Sequence, residues 1–234
     1  MRLDISELVS DFPDFSVAAV IATGLSVTAG RSPAFDAFVA NASGAARAEW
    51  NGTPLSEIPG IAVWRQAYRA FGVRKTSYRC SVERLMKNAL AERPLPPINS
   101  FVDLYNACSL QSVMPMGADD LDAVEGDLAF RYSRPGDVFV DMAGGGEAED
   151  PPKPGEVVYA DGSNVLCRRW NWRQDARSVV RETTKRAVLT IQYNGVGDLG
   201  AVAEDFCGRL AEFGIGRADF AIAGSDDPVI DLPV

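Results

Sequence analysis

Pro97-Ile98-Asn99-Ser100-Phe101-Val102-Asp103-Leu104-Tyr105-Asn106 is the stretch on which the reading of the fold turns. It closes a proline block, Arg93-Pro94-Leu95-Pro96-Pro97, where an earlier helix must end because the residue before a proline is pushed out of the helical region. Residues 98–109 then read as a new helix with its apolar residues inward. Asn99, Asp103 and Asn106 recur three or four positions apart and so share one stripe of it. That stripe is either the polar wall of a pocket or a set of caps in a satisfied buried network.

Upstream of the block the periodicity is helical. Ser32-Pro33 opens a helix running to about residue 49, with Pro33 at the favoured first position. Pro59 opens another, in which Ile61, Trp64, Ala67, Tyr68 and Phe71 recur at helical spacing before Gly72. Ser81 reads as the cap of a third. Residues 15–24 precede them as a buried, β-branched strand. Downstream, strands are expected at 128–132, 137–141, 156–160, 165–172 and 186–193. An amphipathic helix over 198–213 and a last buried strand over 218–223 follow, and 143–154 is a Gly/Pro/acid-rich loop. Helices first and strands second predict the α+β class: one domain over 1–234, helices packed on a mixed β-sheet.

Within the strand region, Cys167-Arg168-Arg169-Trp170-Asn171-Trp172-Arg173-Gln174 is the densest local chemistry. Guanidinium planes, indole faces and amide edges together hold nucleotides or carboxylate ligands. The alternative is a surface strand whose tryptophans cap the core while its arginines reach water. Asp175 beside it is a charge partner or a specificity group, and Thr183-Thr184 bind a ligand or cap a turn.

Composition removes much of the rest. Histidine is absent, so imidazole bases, histidine triads and histidine metal sites are excluded. The four cysteines (Cys80, Cys108, Cys167, Cys207) show no paired spacing, which argues against zinc and for reduced thiols in the cytoplasm. The acidic run Asp119, Asp120, Asp122, Glu125 and Asp127 lacks the pattern of a calcium loop and reads as a solvated turn. Gly144-Gly145-Gly146 lacks the Lys-Ser/Thr of a phosphate loop. No metal or cofactor is therefore expected. No apolar run reaches membrane-spanning length, and the first residues lack an apolar signal core. Net charge is -9, yet residues 47–100 carry +5 and 164–194 carry +5, against -10 in 101–163. The two basic segments can meet as one patch that steers an anion, or pair with the acidic faces.

The block from Pro97 to Asn106, then Met114-Pro115-Met116-Gly117 with Leu121-Asp122-Ala123-Val124-Glu125-Gly126-Asp127, then the Trp-rich turn, resembles a known family. In that order and spacing these motifs look like the B3/B4 tRNA-binding and editing domain of the bacterial phenylalanyl-tRNA synthetase beta subunit, over roughly 60–195. The resemblance implies a pocket that hydrolyses tyrosine misattached to phenylalanine tRNA by means of a positioned water. The family's tyrosine-reading glutamate falls near Gln174 or Asp175, and the histidine of its Gln-Pro-Met-His stretch falls on Gly117. The catalytic module of the synthetase is absent, so the resemblance implies a freestanding editing factor rather than a charging enzyme.

On that reading Asn171, Thr184 and Asp175 hold the attacking water. Asn99, Asp103, Asn106, Met116, Gly117, Arg168, Trp170, Trp172, Arg173 and Gln174 bind substrate, and the partner is the aminoacylated 3′ end of a tRNA, with neither DNA nor membrane. Two rivals use the same residues. One is a non-catalytic module for a free amino acid or small carboxylate, with arginine as the clamp. The other is a protein-binding surface centred on the Trp/Arg turn.

Overall fold

Strand β2 (Phe15–Thr23) is apolar on both faces, and that sets the layers. Ala18, Val20 and Ala22 point into one core, while Val17, Ala19 and Ile21 point into a second. A strand with alternate residues buried on opposite sides must be covered twice. The chain, a computed structural model describing residues 1–75, 77–141, 150–162 and 164–233, covers it with helices on one side and a second sheet on the other.

The elements run β1 (Arg2–Asp4), α1 (Ser6–Val9), β2, α2 (Pro33–Trp50), α3 (Pro59–Ala70), α4 (Ser81–Leu90) and α5 (Ser100–Ser112). Then come β3 (Met116–Asp120), a 3-10 turn, β4 (Leu128–Tyr132), β5 (Val157–Ala160), β6 (Val165–Arg168) and β7 (Arg173–Gln174). The chain closes with β8 (Arg186–Asn194), α6 (Leu199–Glu212), β9 (Arg217–Ala223) and β10 (Val229–Asp231). One sheet has the order β3-β8-β2-β9, the other β10-β1-β4-β5-β6-β7. β2 and β8 pair antiparallel along their full length, from Phe15 opposite Asn194 to Thr23 opposite Arg186. The α+β class expected from the order of helical and strand periodicities is the observed one.

The helical signals have physical causes visible here. Ser32 Oγ accepts from Phe35 N at 3.3 Å with Pro33 behind it, and Asp198 Oδ1 accepts from Ala201 N at 3.0 Å, closing otherwise open helix ends. Five expectations change. Ser81 is the first residue of α4 rather than its cap, which is Cys80. Met116–Asp120 is a strand, because its backbone completes the edge of the four-stranded sheet. Residues 137–141 form only isolated bridges, Val138 to Asn164 and Asp141 to Asp175. The expected strand 165–172 breaks after Arg168, where Arg169 (φ 46°) and Trp170 (φ 68°) are left-handed. The last strand is half exposed, since β9 lies at a sheet edge. Most of the expected 143–154 loop, including Gly144-Gly145-Gly146, lies outside the described residues. Among the described residues no helix is long and apolar enough to cross a membrane.

Candidate functional site

β8 shows where the site is. Ala187, Leu189 and Ile191 face the helices and are fully buried, as the strand pattern requires. On the opposite face Val188 is core, but Thr190 and Gln192 follow it, both buried. Polar groups at core positions must be bonded or be used. These two lie on the floor of a cleft of about 170 Å³ between the two sheets. Its walls come from α5 (Tyr105, Asn106), β3 (Met116, Gly117, Ala118, Asp119), Tyr159, Cys167 and the turn after β6. A cavity on the order of 150 Å³ holds one aromatic ring.

A directional hydrogen-bond chain crosses the floor. The Tyr68 hydroxyl donates to Asn171 Oδ1 at 2.8 Å, and Asn171 Nδ2 donates to Gln192 Oε1 at 2.9 Å. Gln192 Nε2 donates to Thr190 Oγ1 at 3.2 Å, and Thr190 donates to the carbonyl of Gly117 at 3.4 Å. Both amide orientations are thereby assigned. On the β3 side, Asp119 Oδ1 accepts from Ser178 Oγ at 2.6 Å and from Gln174 Nε2 at 3.0 Å. Gln174 Nε2 also donates to the Ala118 carbonyl. Burial pushes the Asp119 carboxyl up to about 7, against the pull of those two donors. Asp119 had read as part of a solvated acidic turn; it is buried because β3 is a strand and turns it inward.

Eight buried side-chain atoms lack a hydrogen-bond partner among the described residues, and three of them, Ser81 Oγ, Tyr159 Oη and Trp172 Nε1, belong to residues lining this one cleft. Such groups cost about 1–3 kcal/mol each when left unmade. Each of the three atoms is itself closed off from solvent, so the wall of the cleft holds a group of unmade donors that a ligand meets only as the wall adjusts to it.

The turn after β6 sorts its residues. Two successive left-handed, non-glycine residues cost about 1–3 kcal/mol each and persist only under firm constraint. Trp170 N donates to Val157 O at 2.7 Å, and the Arg169 amide donates to Glu156 Oε1 at 3.1 Å. The reversal sends Trp170 inward, fully buried, with its ring edge-on to Phe12, Phe15 and Trp64 at 4.7, 4.8 and 5.2 Å. Asn171, Trp172, Arg173 and Gln174 turn to the cleft. The Asn171 carbonyl accepts from Ser81 N at 2.9 Å, tying the turn to α4.

Asn106, Met116, Gly117, Asn171, Trp172, Arg173 and Gln174 are thus brought together. The other expected site residues lie elsewhere. Asn99 caps α5, accepting from Val102 N at 2.9 Å and donating to Val180 O at 3.1 Å. Asp103 accepts from Arg31 Nε at 2.7 Å and Ile98 N at 3.0 Å. Arg168 is buried in a two-pronged pair with Glu156 at 2.9 and 2.9 Å. Asp175 is saturated by Arg177 and by Val140 N. Thr184 donates to Asp120 Oδ2 at 2.6 Å and accepts from Arg181 N at 3.0 Å. In each case a backbone or ionic partner takes the polar group. Ser81, Asp119, Tyr159, Thr190 and Gln192 were missed; the polar break in the alternation of 187–192 was the available signal.

The thiols near the site are inert. Burial pushes Cys80 up to about 12 and raises Cys167 as well, so neither is a thiolate near neutrality. Among the described residues no three His, Cys, Asp or Glu side chains converge as a metal site.

Comparison with known proteins places these motifs. No curated protein matches the sequence. A similar solved structure is the N-terminal fragment of the phenylalanyl-tRNA synthetase beta-subunit from Pyrococcus horikoshii, at 14% identity and a TM-score of 0.46, covering 92% of this chain and 49% of that one. The chain therefore spans about half the length of that fragment. The B3/4 domain family matches residues 63–196, which contain every residue lining the cleft. With more than half of its length inside that match, the chain belongs to the B3/4 domain family.

Proposed function

We propose that the cleft receives the aminoacyl group at the 3′ end of a tRNA and hydrolyses its ester, with the chain acting in trans on wrongly charged tRNA. The observation that carries this reading is the set of unpaired groups, Ser81 Oγ, Tyr159 Oη and Trp172 Nε1, in the wall of one cleft. Ester hydrolysis needs donors where the carbonyl oxygen gains charge, and such donors act most strongly away from water. Family membership supports a tRNA-related partner.

In this scheme Asp119, with a carboxyl pushed up to about 7, takes a proton from water as the water oxygen bonds to the acyl carbon. The bond from acyl carbon to ribose oxygen then breaks, and the ribose oxygen leaves with a proton returned from Asp119. Asn171 is a positioning residue, because both ends of its amide are committed to Tyr68 and Gln192. Trp172 and Met116 supply apolar wall. A Cβ at Gly117 would meet nothing within 4 Å, so the place where the family carries histidine is open space here. That observation favours a second reading, a non-catalytic pocket for a free amino acid.

A panel of correctly and wrongly charged tRNAs separates the two. Turnover of one mischarged species, slowed about 100-fold or more in Asp119→Asn and also reduced in Tyr159→Phe, is the expected result. No turnover on any tRNA, with thermal stabilisation by an amino acid alone, establishes the binding pocket instead.

A further inference from the structure

We infer that a basic groove beside the cleft is a phosphate track that seats the single-stranded 3′ end of the RNA; this deepens the reading above and rests on it. Arg65, Arg69, Arg74, Lys75 and Arg79 line the groove, formed by α3, residues 73–75, residues 78–80 and Glu83 of α4. Among the described residues Glu83 is the one carboxylate in its lining. Buried Glu83 holds Arg65 at 2.7 and 3.1 Å and Arg79 at 2.7 Å, which fixes two guanidinium groups. Arg69, Arg74 and Lys75 are exposed and make no ion pair among the described residues. In a chain of net charge -9, three uncompensated cations in one groove form a local field of the opposite sign.

The groove and the cleft share a wall. Tyr78 lines the first and Trp172 the second, with their rings edge-to-face at 4.9 Å. The Arg169 guanidinium lies 3.9 Å from the Tyr78 ring centre and 4.3 Å from that of Trp172. Consecutive residues Cys80 and Ser81 divide between the two hollows in the same way. The two basic stretches of sequence, 47–100 and 164–194, therefore meet at this wall. Arg169 itself is buried against those rings, so a strand whose phosphates follow the exposed cations crosses an aromatic ridge before its end enters the cleft. Phosphates along a groove with aromatic faces beside it are the requirements of single-stranded RNA. An acidic peptide would use the cations but has no need of the ridge or of its continuity with the cleft.

The test is binding of an uncharged tRNA acceptor-end hairpin, followed by fluorescence anisotropy over a salt series. Wild type is compared with the combined Arg69→Glu, Arg74→Glu and Lys75→Glu variant, and folding is checked by an unchanged thermal midpoint. Binding at least about 10-fold weaker, with a log–log salt slope smaller by about two, is expected. Equal binding by both proteins overturns the track, as does competition by a polyglutamate peptide as strong as that by RNA. Turnover of a phosphate-free aminoacyl ester by the wild-type protein reports the cleft on its own. Groove-dependent RNA binding without ester turnover leaves the track standing and removes the hydrolase. Ester turnover with groove-indifferent RNA binding does the reverse.

Discussion

Asn171 Nδ2 donates to Gln192 Oε1 at 2.9 Å, and this bond joins the strained turn of one sheet to the central region of the other. Asn171 also accepts from Tyr68, so one side chain holds a helix, a turn and a strand together. Replacing it by alanine leaves the Tyr68 hydroxyl and the Gln192 carbonyl oxygen buried and unpaired. At about 1–3 kcal/mol for each orphaned group, Asn171→Ala should lose roughly 2–6 kcal/mol of stability. Urea denaturation measures it, and a loss below about 1 kcal/mol contradicts the bonded floor.

Asp119 gives a pH signature of a definite sign. Its folded carboxyl titrates at about 7 because of burial, whereas an unfolded aspartate titrates at about 3.9. Between those values the folded chain keeps a proton that the unfolded chain has released. The contribution is therefore fully present below about pH 4, is lost as pH rises through 7, and is level above that. Wild type minus Asp119→Asn should show this decline, with a total span of up to roughly 4 kcal/mol. A difference that does not change between pH 4.5 and 8 would exclude the buried acid.

The two tryptophans of the turn should separate cleanly. Trp170 is fully buried against four aromatic rings, so Trp170→Ala should cost about 3–5 kcal/mol. Trp172 lines the cleft and is partly exposed, so Trp172→Ala should cost less while weakening ligand binding. Thermal midpoints and ligand titrations of the pair decide this, and equal loss of stability would count against the sorting described above.

Thiol chemistry offers a further check. Cys80 and Cys108 are buried and both are pushed up to about 12. Neither should be alkylated by iodoacetamide near neutral pH until the chain unfolds. Mass spectrometry of native and urea-treated protein distinguishes protected from reactive sites.

How much of this was legible beforehand follows from which forces act locally. Helix entries at Ser32-Pro33 and Pro59 were readable, since capping and proline preferences act within a few residues. The break at Arg169–Trp170 was not, because neither residue favours left-handed backbone and only tertiary packing imposes it. The motif order pointed to the family and to half of the cleft wall. It also brought in Arg168, which the fold pairs with Glu156, and Asp175, for which the charge-partner alternative is the observed one, with Arg177 two residues on. Asp119 was hidden for the opposite reason: its acidic neighbours suggested water, while its place on an edge strand put it inside.

The pairing of β2 with β8 carries one further consequence. β2 lies outside the family-matched span of 63–196, yet it is the strand against which the cleft floor is laid, and its first residue Phe15, with Phe12 just before it, grips Trp170. The shared segment is thus a recipe for a cleft without the means to build one alone. A fragment cut at its borders would keep β3 on one side of β8 but lose the strand that pairs Thr190 and Gln192 on the other, and a chimera that transplants only that segment must bring a substitute for β2 with it.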